Sequence, residues 1–375
     1  MKKLICVILI IPFLFMTACS SESNLPDSNT SKTSNSNGES LTDAEKFINL
    51  NDSIVTVDAG LTATSFKGDD SFEDFLKAGG ASTDKEVLNF LMTKLLADSS
   101  DSHDLDELDF NIAGIGCSTL SVANDSNDGY YFGRNFDWYS CNAMILASYP
   151  DNGYSSITTV NTDFIKQAAA LPLSDSVLKK AALYAPLDGM NEKGLCASVN
   201  MIEDSVSINQ KTDKADITTT TAIRLLMNKA ANVDEAVELL KSYDMHSSFG
   251  YMVHFAIADA SGKSVAVEYV NGEMSVIESQ VLTNFYLTEG DKYGIGTSQS
   301  HTRFNILTEA LNADKNMSMS KVKDVLSSVS KGNFGEFEST EWSVIYDQKN
   351  MTARYYHREN YDKSYSVKFD GGGNG

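Results

Sequence analysis

The chain has 375 residues, a formal net charge of −21 and a hydrophobic content of 42%. This length suffices for one large domain or two smaller ones, and the apolar content excludes a wholly disordered chain. The excess of 51 acidic over 30 basic side chains argues against a nucleic-acid partner, because phosphate binding needs clustered Lys and Arg.

Residues 1–18 have the pattern of an export signal. Two lysines follow Met1, and residues 4–16 are apolar throughout, a run too short to span a bilayer. The next residues, Thr17-Ala18-Cys19-Ser20, resemble a bacterial lipobox, in which cleavage before Cys19 leaves a lipid-modified N-terminus. The alternative is an ordinary secretory signal with an incidental cysteine. We expect a lipoprotein signal peptide and an extracytoplasmic protein, lipid-anchored to the bacterial cell membrane.

Residues 19–40 are rich in Ser and Asn and have almost no apolar side chains. Such a segment cannot pack into a core and is predicted to be a tether. Residues 41–116 are expected to form a helical, acidic pre-segment. Capping-box patterns begin at Thr42 and Thr83, and apolar residues recur at helical spacing over residues 87–96.

From Ile112 onward, short apolar runs separated by Gly, Asn and Asp are typical of strands and hairpins. A turn signal at residues 127–129 predicts that residues 117–124 pair with the strand beginning at Tyr130. A second hairpin is expected around Ser261-Gly262. Helices are predicted over residues 217–231, 234–242, 301–312 and 319–329, and strands over 254–260, 263–269, 342–346 and 354–356. Runs of strands divided by helices favour an α+β fold.

Metal and cofactor motifs give no positive indication. The five histidines have no metal-ligand spacing, and no paired-Cys zinc pattern occurs. Ser261-Gly262-Lys263-Ser264 does not have the earlier glycine of a phosphate-binding loop and joins two predicted strands. We therefore expect no metal and no cofactor.

Three cysteines follow the signal and the lipobox: Cys117, Cys141 and Cys196. An odd number in an exported protein leaves at least one free thiol. Cys196 lies in an apolar stretch and is expected to be a buried strand residue. A disulfide between Cys141 and Cys196 is possible, and the sequence leaves it open.

Cys117 directly follows Gly116 where helical texture changes to strand texture. Cleavage between these residues would place Cys117 at a new N-terminus. An α-amine has a pKa of about 7.7–8.0 and a thiol one of about 8.5, so the amine can take the thiol proton and one residue then holds both nucleophile and base. The alternative is that Cys117 is a small buried apolar residue, which is the commoner role of a lone cysteine.

Several segments, in their order along the chain, resemble the choloylglycine hydrolase family, which includes bile salt hydrolases, penicillin V acylases and relatives of acid ceramidase. These segments are Cys117 and residues 133–137, 188–195, 258–268, 282–284 and 341–347. The resemblance runs from Cys117 to about Asp370. It implies that residues 117–375 form an αββα sandwich of the N-terminal-nucleophile hydrolase type.

The resemblance also implies roles for individual residues. Cys117 matches the nucleophile, Arg134 the arginine beside the thiol, and Asp137 the carboxylate that orients the free α-amine. Considered without the family, Arg134 and Asp137 are also consistent with a structural ion pair.

Three further positions match site residues of the family. Asn200 matches a side chain of the oxyanion hole, where an amide donor stabilises developing negative charge. Asn284 matches a second site asparagine that shares this role, and Arg303 matches the family's second arginine. Both asparagines also suit turns or strand ends.

In bile salt hydrolases the nucleophile follows the initiator Met, whereas here residues 20–116 separate the lipobox from Cys117. This arrangement is similar to acid ceramidase relatives and penicillin-related acyltransferases, which are activated by self-cleavage before the cysteine. The resemblance implies an amidase that hydrolyses linear C–N bonds of small-molecule N-acyl amides after cleavage at Gly116-Cys117. The alternatives are a solute-binding lipoprotein, an acyltransferase that uses amine acceptors, and a processing-defective relative that only binds. The acyl and amine parts of the substrate and the oligomeric state stay open.

Overall fold

The computed structural model describes residues 44–95, 116–169, 172–332 and 339–369. They all fall within one compact unit, Asp43–Gly375. The predicted signal peptide at 1–18, the lipidation at Cys19 and the tether at 19–40 lie outside the described residues.

Strands and helices succeed one another along the chain, with strands in the majority. The strands are β1 Ala44–Phe47, β2 Val55–Asp58, β3 Leu61–Gly68, β4 Gly116–Asn124, β5 Tyr130–Trp138, β6 Ala143–Pro150, β7 Ser156–Asn161, β8 Asp188–Asn191, β9 Cys196–Met201, β10 Asp216–Thr218, β11 Asp244–His246, β12 Val253–Ala258, β13 Ser264–Val270, β14 Glu273–Glu278, β15 Val281–Leu282, β16 Asn316–Met317, β17 Ser339–Asp347, β18 Thr352–His357 and β19 Lys363–Lys368. The helices are α1 Phe72–Lys77, α2 Asp84–Leu95, α3 Thr162–Ala169, α4 Asp175–Ala182, α5 Thr219–Lys229, α6 Val233–Lys241, α7 Ser298–Ala313 and α8 Met319–Ser327, with a short 3₁₀ turn at Ser248–Gly250.

Two large sheets organise these elements. The first has the order β1-β19-β18-β17-β5-β4-β15, with β16 pairing to β4, and the second has the order β14-β13-β12-β9-β8-β7-β6-β3-β2. Helix α5 packs on β8 and β9, whereas α8 packs on β5 and β17. Strands such as β12 are buried along their whole length, because a sheet covered on both faces leaves no polar side.

The elements predicted from residue 117 onward are confirmed. β4 and β5 pair antiparallel, as do β12 with β13 and β17 with β18. Helices α5, α6, α7 and α8 occupy the predicted regions. Among the described residues, no helix has the length and apolar content that a bilayer crossing needs.

The prediction of a helical segment before Cys117 is wrong for residues 44–68. Helix α2 forms after Thr83 as predicted, but the residues after Thr42 form β1, which pairs in parallel with β19. Strand β3 pairs in parallel with β6 inside the second sheet. The capping pattern at Thr42 does not lead to a helix, because β19 provides main-chain hydrogen-bond partners for the following residues. The segment 44–95 is therefore part of both sheets.

Candidate active site

The Cys117 thiol lies on β4 beside a buried cation. Cys117 is 3% exposed, and its Sγ is 3.6 Å from Nη2 of Arg134 on the neighbouring strand β5. The pairing of β4 with β5 places Phe136 opposite Cys117. Arg134 is two residues before Phe136 on β5, so its side chain points to the same face of the sheet as that of Cys117. A buried guanidinium thus lies within contact distance of the sulfur.

Arg134 is held in place from the opposite sheet. Its Nη1 donates to Oδ2 of Asp188 at 2.6 Å and to the Leu187 carbonyl at 2.5 Å, and its Nη2 donates to the Val199 carbonyl at 2.7 Å. Burial alone would lower the pKa of Arg134, but the Asp188 carboxylate and the Cys117 thiol hold it above its usual value. The guanidinium is therefore a fixed positive charge.

Asp188 is a site residue to which the sequence pattern assigned no role, although it opens the motif at 188–195. Its carboxylate accepts hydrogen bonds from Nε1 of Trp342 at 3.0 Å and from the Tyr346 hydroxyl at 2.6 Å, in addition to Arg134. Both aromatic residues lie on β17, in the first sheet. Asp188, on β8, therefore ties the two sheets together behind the thiol.

We predict that Asp188→Asn destabilises the protein by about 3–5 kcal/mol, since it leaves the Arg134 charge buried without its counter-ion. The measurement is the urea unfolding midpoint of the purified variant. Asp128→Asn is the control, because Asp128 pairs with Lys349 at the surface and should shift the midpoint far less. Equal shifts for the two variants would show that the buried pair has no special role.

The main chain of Cys117 is held by two predicted residues. Its N–H donates to Oδ1 of Asn284 at 2.7 Å, and its carbonyl accepts from Nη1 of Arg303 at 2.6 Å. Arg303 also donates through Nη2 to the same Oδ1 of Asn284 at 2.8 Å, and through Nη1 to the Ser118 hydroxyl at 2.7 Å. Asn284 and Arg303 thus fix the position of the nitrogen and the carbonyl of Cys117.

Asp137 lies on the N-terminal side of Cys117. Its Oδ1 accepts from the Thr340 hydroxyl at 2.7 Å, and its Oδ2 is 3.7 Å from Nη1 of Arg303. A β-carbon placed on Gly116 would lie 2.9 Å from Oδ2 of Asp137, so the carboxylate is next to the peptide bond that precedes Cys117. In the described contacts Arg134 pairs with Asp188, whereas Asp137 faces Arg303.

Asn200 lies close to this group without a hydrogen bond to Cys117 among the described contacts. Its amide nitrogen faces the carbonyls of Leu282 and Thr283 at 3.3 and 3.4 Å. The amide nitrogen of Asn284 donates to the Met201 carbonyl at 2.5 Å. Both side-chain amides therefore donate to main-chain oxygens, and their role in an oxyanion hole stays a prediction.

The other two cysteines differ from Cys117. Both are buried and free, so the possible disulfide between Cys141 and Cys196 is not formed. Burial raises the pKa of both thiols well above the usual value. Cys196 lies in β9 as a buried strand residue, as predicted. Cys117 is thus the cysteine of the three that a buried guanidinium contacts.

A small, partly open apolar cavity lies between α2 and the helices α3 and α4. Leu88 and Leu91 of α2 form one wall, and Phe164 and Phe249 belong to the opposite wall. Ring contacts run from the cavity to the strand partner of Cys117: the ring centroids of Phe164 and Trp138 are 5.0 Å apart, and those of Trp138 and Phe136, which pairs with Cys117 across the strands, are 6.0 Å apart. The sequence gives no signal for this cavity, because α2 and α3 meet only in three dimensions.

The cavity contains one carboxyl group at its edge. Burial raises the pKa of Asp84, although the carboxylate accepts the Phe249 N–H at 2.7 Å. Within the described residues, no group of three His, Cys, Asp or Glu side chains is arranged to hold a metal ion.

Known proteins give three comparisons. A bile salt hydrolase/transferase from Clostridium perfringens is 27% identical over 180 residues, which are 45% of this chain and 53% of the relative. The crystal structure of a conjugated bile acid hydrolase from the same species has 18% identity and a TM-score of 0.51, and covers 68% of this chain and 92% of that chain. A penicillin V acylase from Agrobacterium tumefaciens has 20% identity and a TM-score of 0.48, over 64% of this chain and 83% of that chain.

The chain thus spans about half the length of its curated relative, and its likeness to the bile acid hydrolase structure concerns the fold. Residues 117–293 match the profile of linear amide C–N hydrolases, choloylglycine hydrolase family. The match begins at Cys117 and includes Arg134, Asp137, Asn200 and Asn284, whereas Arg303 lies beyond it. Residues 117–293 are therefore similar to the choloylglycine hydrolase family, and the fold is related to that of a bile acid hydrolase.

Proposed function

We propose that this protein is an exported, lipid-anchored amidase that hydrolyses linear C–N bonds of N-acyl amides. Its nucleophile is Cys117, exposed as an N-terminal residue by cleavage at Gly116-Cys117. The observation that carries the proposal is the environment of Cys117: the thiol lies beside the Arg134 guanidinium, while Asn284 holds the nitrogen of the same residue. The two sheets with outer helices agree with an αββα sandwich.

Cleavage supplies the catalytic base. In the intact chain the Cys117 nitrogen belongs to an amide and cannot accept a proton. Hydrolysis of the Gly116–Cys117 bond consumes one water molecule and leaves an α-amine at the same place, within reach of Oδ1 of Asn284 and close to the Asp137 carboxylate. Unperturbed α-amines have a pKa of about 7.7–8.0, a range that suits proton transfer near neutral pH.

The catalytic cycle then has two steps. The thiol transfers its proton to the α-amine, and the sulfur attacks the carbonyl carbon of the substrate; the C–N bond breaks, and the departing amine takes the proton. A water molecule, deprotonated by the α-amine, next attacks the thioester; the C–S bond breaks, the carboxylic acid is released, and the α-ammonium returns the proton to the sulfur. Arg134 stabilises the thiolate, and we assign the oxyanion to Asn200 and Asn284, whose amides must then turn from the main-chain carbonyls to the substrate oxygen.

We infer that the substrate is a small N-acyl amide with an apolar acyl group. The cavity beside Phe164 and Leu91 is lined mainly by apolar side chains, and the apolar rings of Trp138 and Phe164 lie between it and Phe136, the strand partner of Cys117. The names of the relatives refer to bile salts and penicillin V, which makes both compounds suitable first probes.

The proposal is tested with purified protein and a panel of bile salts, penicillin V and long-chain N-acyl amines. Release of free amine and free acid supports the hydrolase. Because the name of one relative includes a transferase, the panel is repeated with an added amine acceptor, and formation of a new amide would favour acyl transfer. Tight binding of a panel compound without turnover would instead favour a solute-binding lipoprotein.

We predict that Gly116→Val slows cleavage at least about tenfold. A side chain at this position collides with polar groups beside the bond, since a β-carbon would lie 2.8 Å from Nη2 of Arg303 and 3.0 Å from Nζ of Lys331. Displacing groups next to a reacting bond by about 1 Å can cost about 10²-fold in rate. The cut fraction, followed by gel electrophoresis, measures the effect, and Ser121→Ala on the same strand is the control. Unchanged cleavage of Gly116→Val would contradict this role for Gly116.

A further inference from the structure

A buried histidine and a buried glutamate lie behind Asn284, outside the predicted site residues. His254 on β12 and Glu268 on β13 are both inaccessible to solvent. Nδ1 of His254 is 3.0 Å from Oε1 of Glu268, and Nε2 is 2.9 Å from the carbonyl oxygen of Thr283, the residue before Asn284. The pair therefore contacts the segment that carries Asn284.

Glu268 holds the other end of the same segment. Its Oε1 accepts the Leu287 N–H at 2.8 Å, and its Oε2 accepts the N–H of Thr288 at 2.8 Å and the Thr288 hydroxyl at 2.6 Å. Burial alone would raise the pKa of Glu268, but His254 and these donors hold it below the usual value. Glu268 acts as an ionised carboxylate with its oxygens occupied by donors.

Counting protons fixes the state of the His254 ring. The Thr283 carbonyl can only accept a hydrogen bond, and so can the Glu268 carboxylate. A neutral imidazole carries one N–H and would place a lone pair against one of these oxygens at about 3 Å. A ring protonated on both nitrogens donates to both oxygens, so these contacts fit a doubly protonated His254 beside an ionised Glu268.

Other charged and titratable groups face this region. On β9, the strand partner of His254 is the uncharged Asn200. In the segment itself, the hydroxyl of Tyr286 donates to Asp204 at 3.0 Å, and Asp204 also pairs with Lys292. Burial, together with Asp204 and Glu268, raises the pKa of Tyr286, so the phenol is neutral near pH 7. Tyr286 therefore adds no charge beside the pair of Glu268 and His254.

We propose that His254 and Glu268 form a charged pair, with the histidine ring doubly protonated, that clamps residues 283–288 and so positions Asn284 against the nitrogen of Cys117. His254 ties down the start of the segment and Glu268 its end. Neither residue touches the thiol in the described contacts, so both are positioning residues. The inference rests on the proposed function for its effect on catalysis, whereas the protonation state can be tested independently.

The first test is ¹⁵N NMR of the full-length protein with labelled histidines, in which His254→Gln assigns the resonances. At pH 7 the account predicts that both ring nitrogens of His254 are protonated. A His254 ring with a single N–H would overturn the proposal. This readout needs no substrate, so it stands even if the panel of amides gives no turnover.

The second test is kinetic and uses the panel compound that is turned over fastest. His254→Leu removes the donor to Thr283 and should lower kcat about 100-fold, with KM changed less than about threefold, because Asn284 shifts relative to Cys117. His254→Gln restores an N–H donor and should recover kcat to within about tenfold of the wild type. His246→Gln is the matched control, since His246 pairs with Asp216 at 2.8 Å and takes no part in the proposed site; it should keep the wild-type rate. Equal kcat values for His254→Leu and the wild type would overturn the positioning role.

Discussion

Replacing Cys117 with alanine should give a folded, uncut chain whose amidase activity is lowered at least about 10⁴-fold. The variant has neither the sulfur that attacks the carbonyl nor the thiol needed to start cleavage after Gly116, so the α-amine base is not formed either. Folding should be preserved, because the site is held by Asn284, Arg303 and Asp188 through contacts that do not involve the sulfur, apart from that between Cys117 and Arg134.

Turnover of the fastest panel substrate and a gel of the purified protein measure this prediction. Cys196→Ala is the matched control, since Cys196 is equally buried and free but lies away from the guanidinium, and it should be cut and active. Cys117→Ser keeps a weaker nucleophile and should fall between the two. An active alanine variant would remove Cys117 from the mechanism.

A chain that begins at Cys117 should not fold on its own. The segment 44–95 supplies an edge strand to the first sheet and two strands to the second. It also contributes side chains to the common core, namely Leu61, Ala63, Phe66, Phe72 and Phe75. Fully burying one large apolar side chain stabilises a protein by about 1.5–3 kcal/mol, so losing them together is comparable with the total stability of about 5–15 kcal/mol.

The charge of Arg224 adds to this effect. Arg224 on α5 is buried and forms an ion pair with Asp70, which precedes α1. Without the segment the guanidinium would lose its counter-ion, at a cost of about 3–5 kcal/mol. We therefore expect the two pieces of a cut protein to stay together.

Size-exclusion chromatography measures this second prediction. Both fragments of the cut protein should elute as one species and separate only in denaturant, while the chain from Cys117 onward should be recovered as aggregate. If that shorter chain is monomeric, folded and active, the segment is dispensable, and its place in both sheets is secondary.

The sequence predicted the local parts of the fold well and the non-local parts poorly. The β4–β5 and β12–β13 hairpins follow from turn signals between adjacent runs, and the helices from Thr219 to Ser327 follow from apolar spacing. Strand β1 has no such signal, because its partner β19 lies about 320 residues away and only the completed sheet stabilises it. For the same reason the helical pattern at Thr42 was misleading.

The candidate site divides in the same way. The six predicted residues were found through motif order, and five of them are connected by direct contacts, with Asn200 adjacent. Asp188 lies within a recognised motif, but only the facing sheet shows that it pairs with Arg134. His254 and Glu268 are 14 residues apart in the sequence and bear no visible relation to Asn284 until the chain folds.

The central claim is that Cys117 becomes the N-terminal residue of the working protein. Its most direct test is the intact mass of the purified wild-type protein under denaturing conditions, with the Cys117→Ala chain measured in parallel. The account predicts a wild-type fragment with the mass of residues 117–375 and an alanine variant that stays uncut. A single unbroken wild-type chain that nevertheless hydrolyses amides would contradict it.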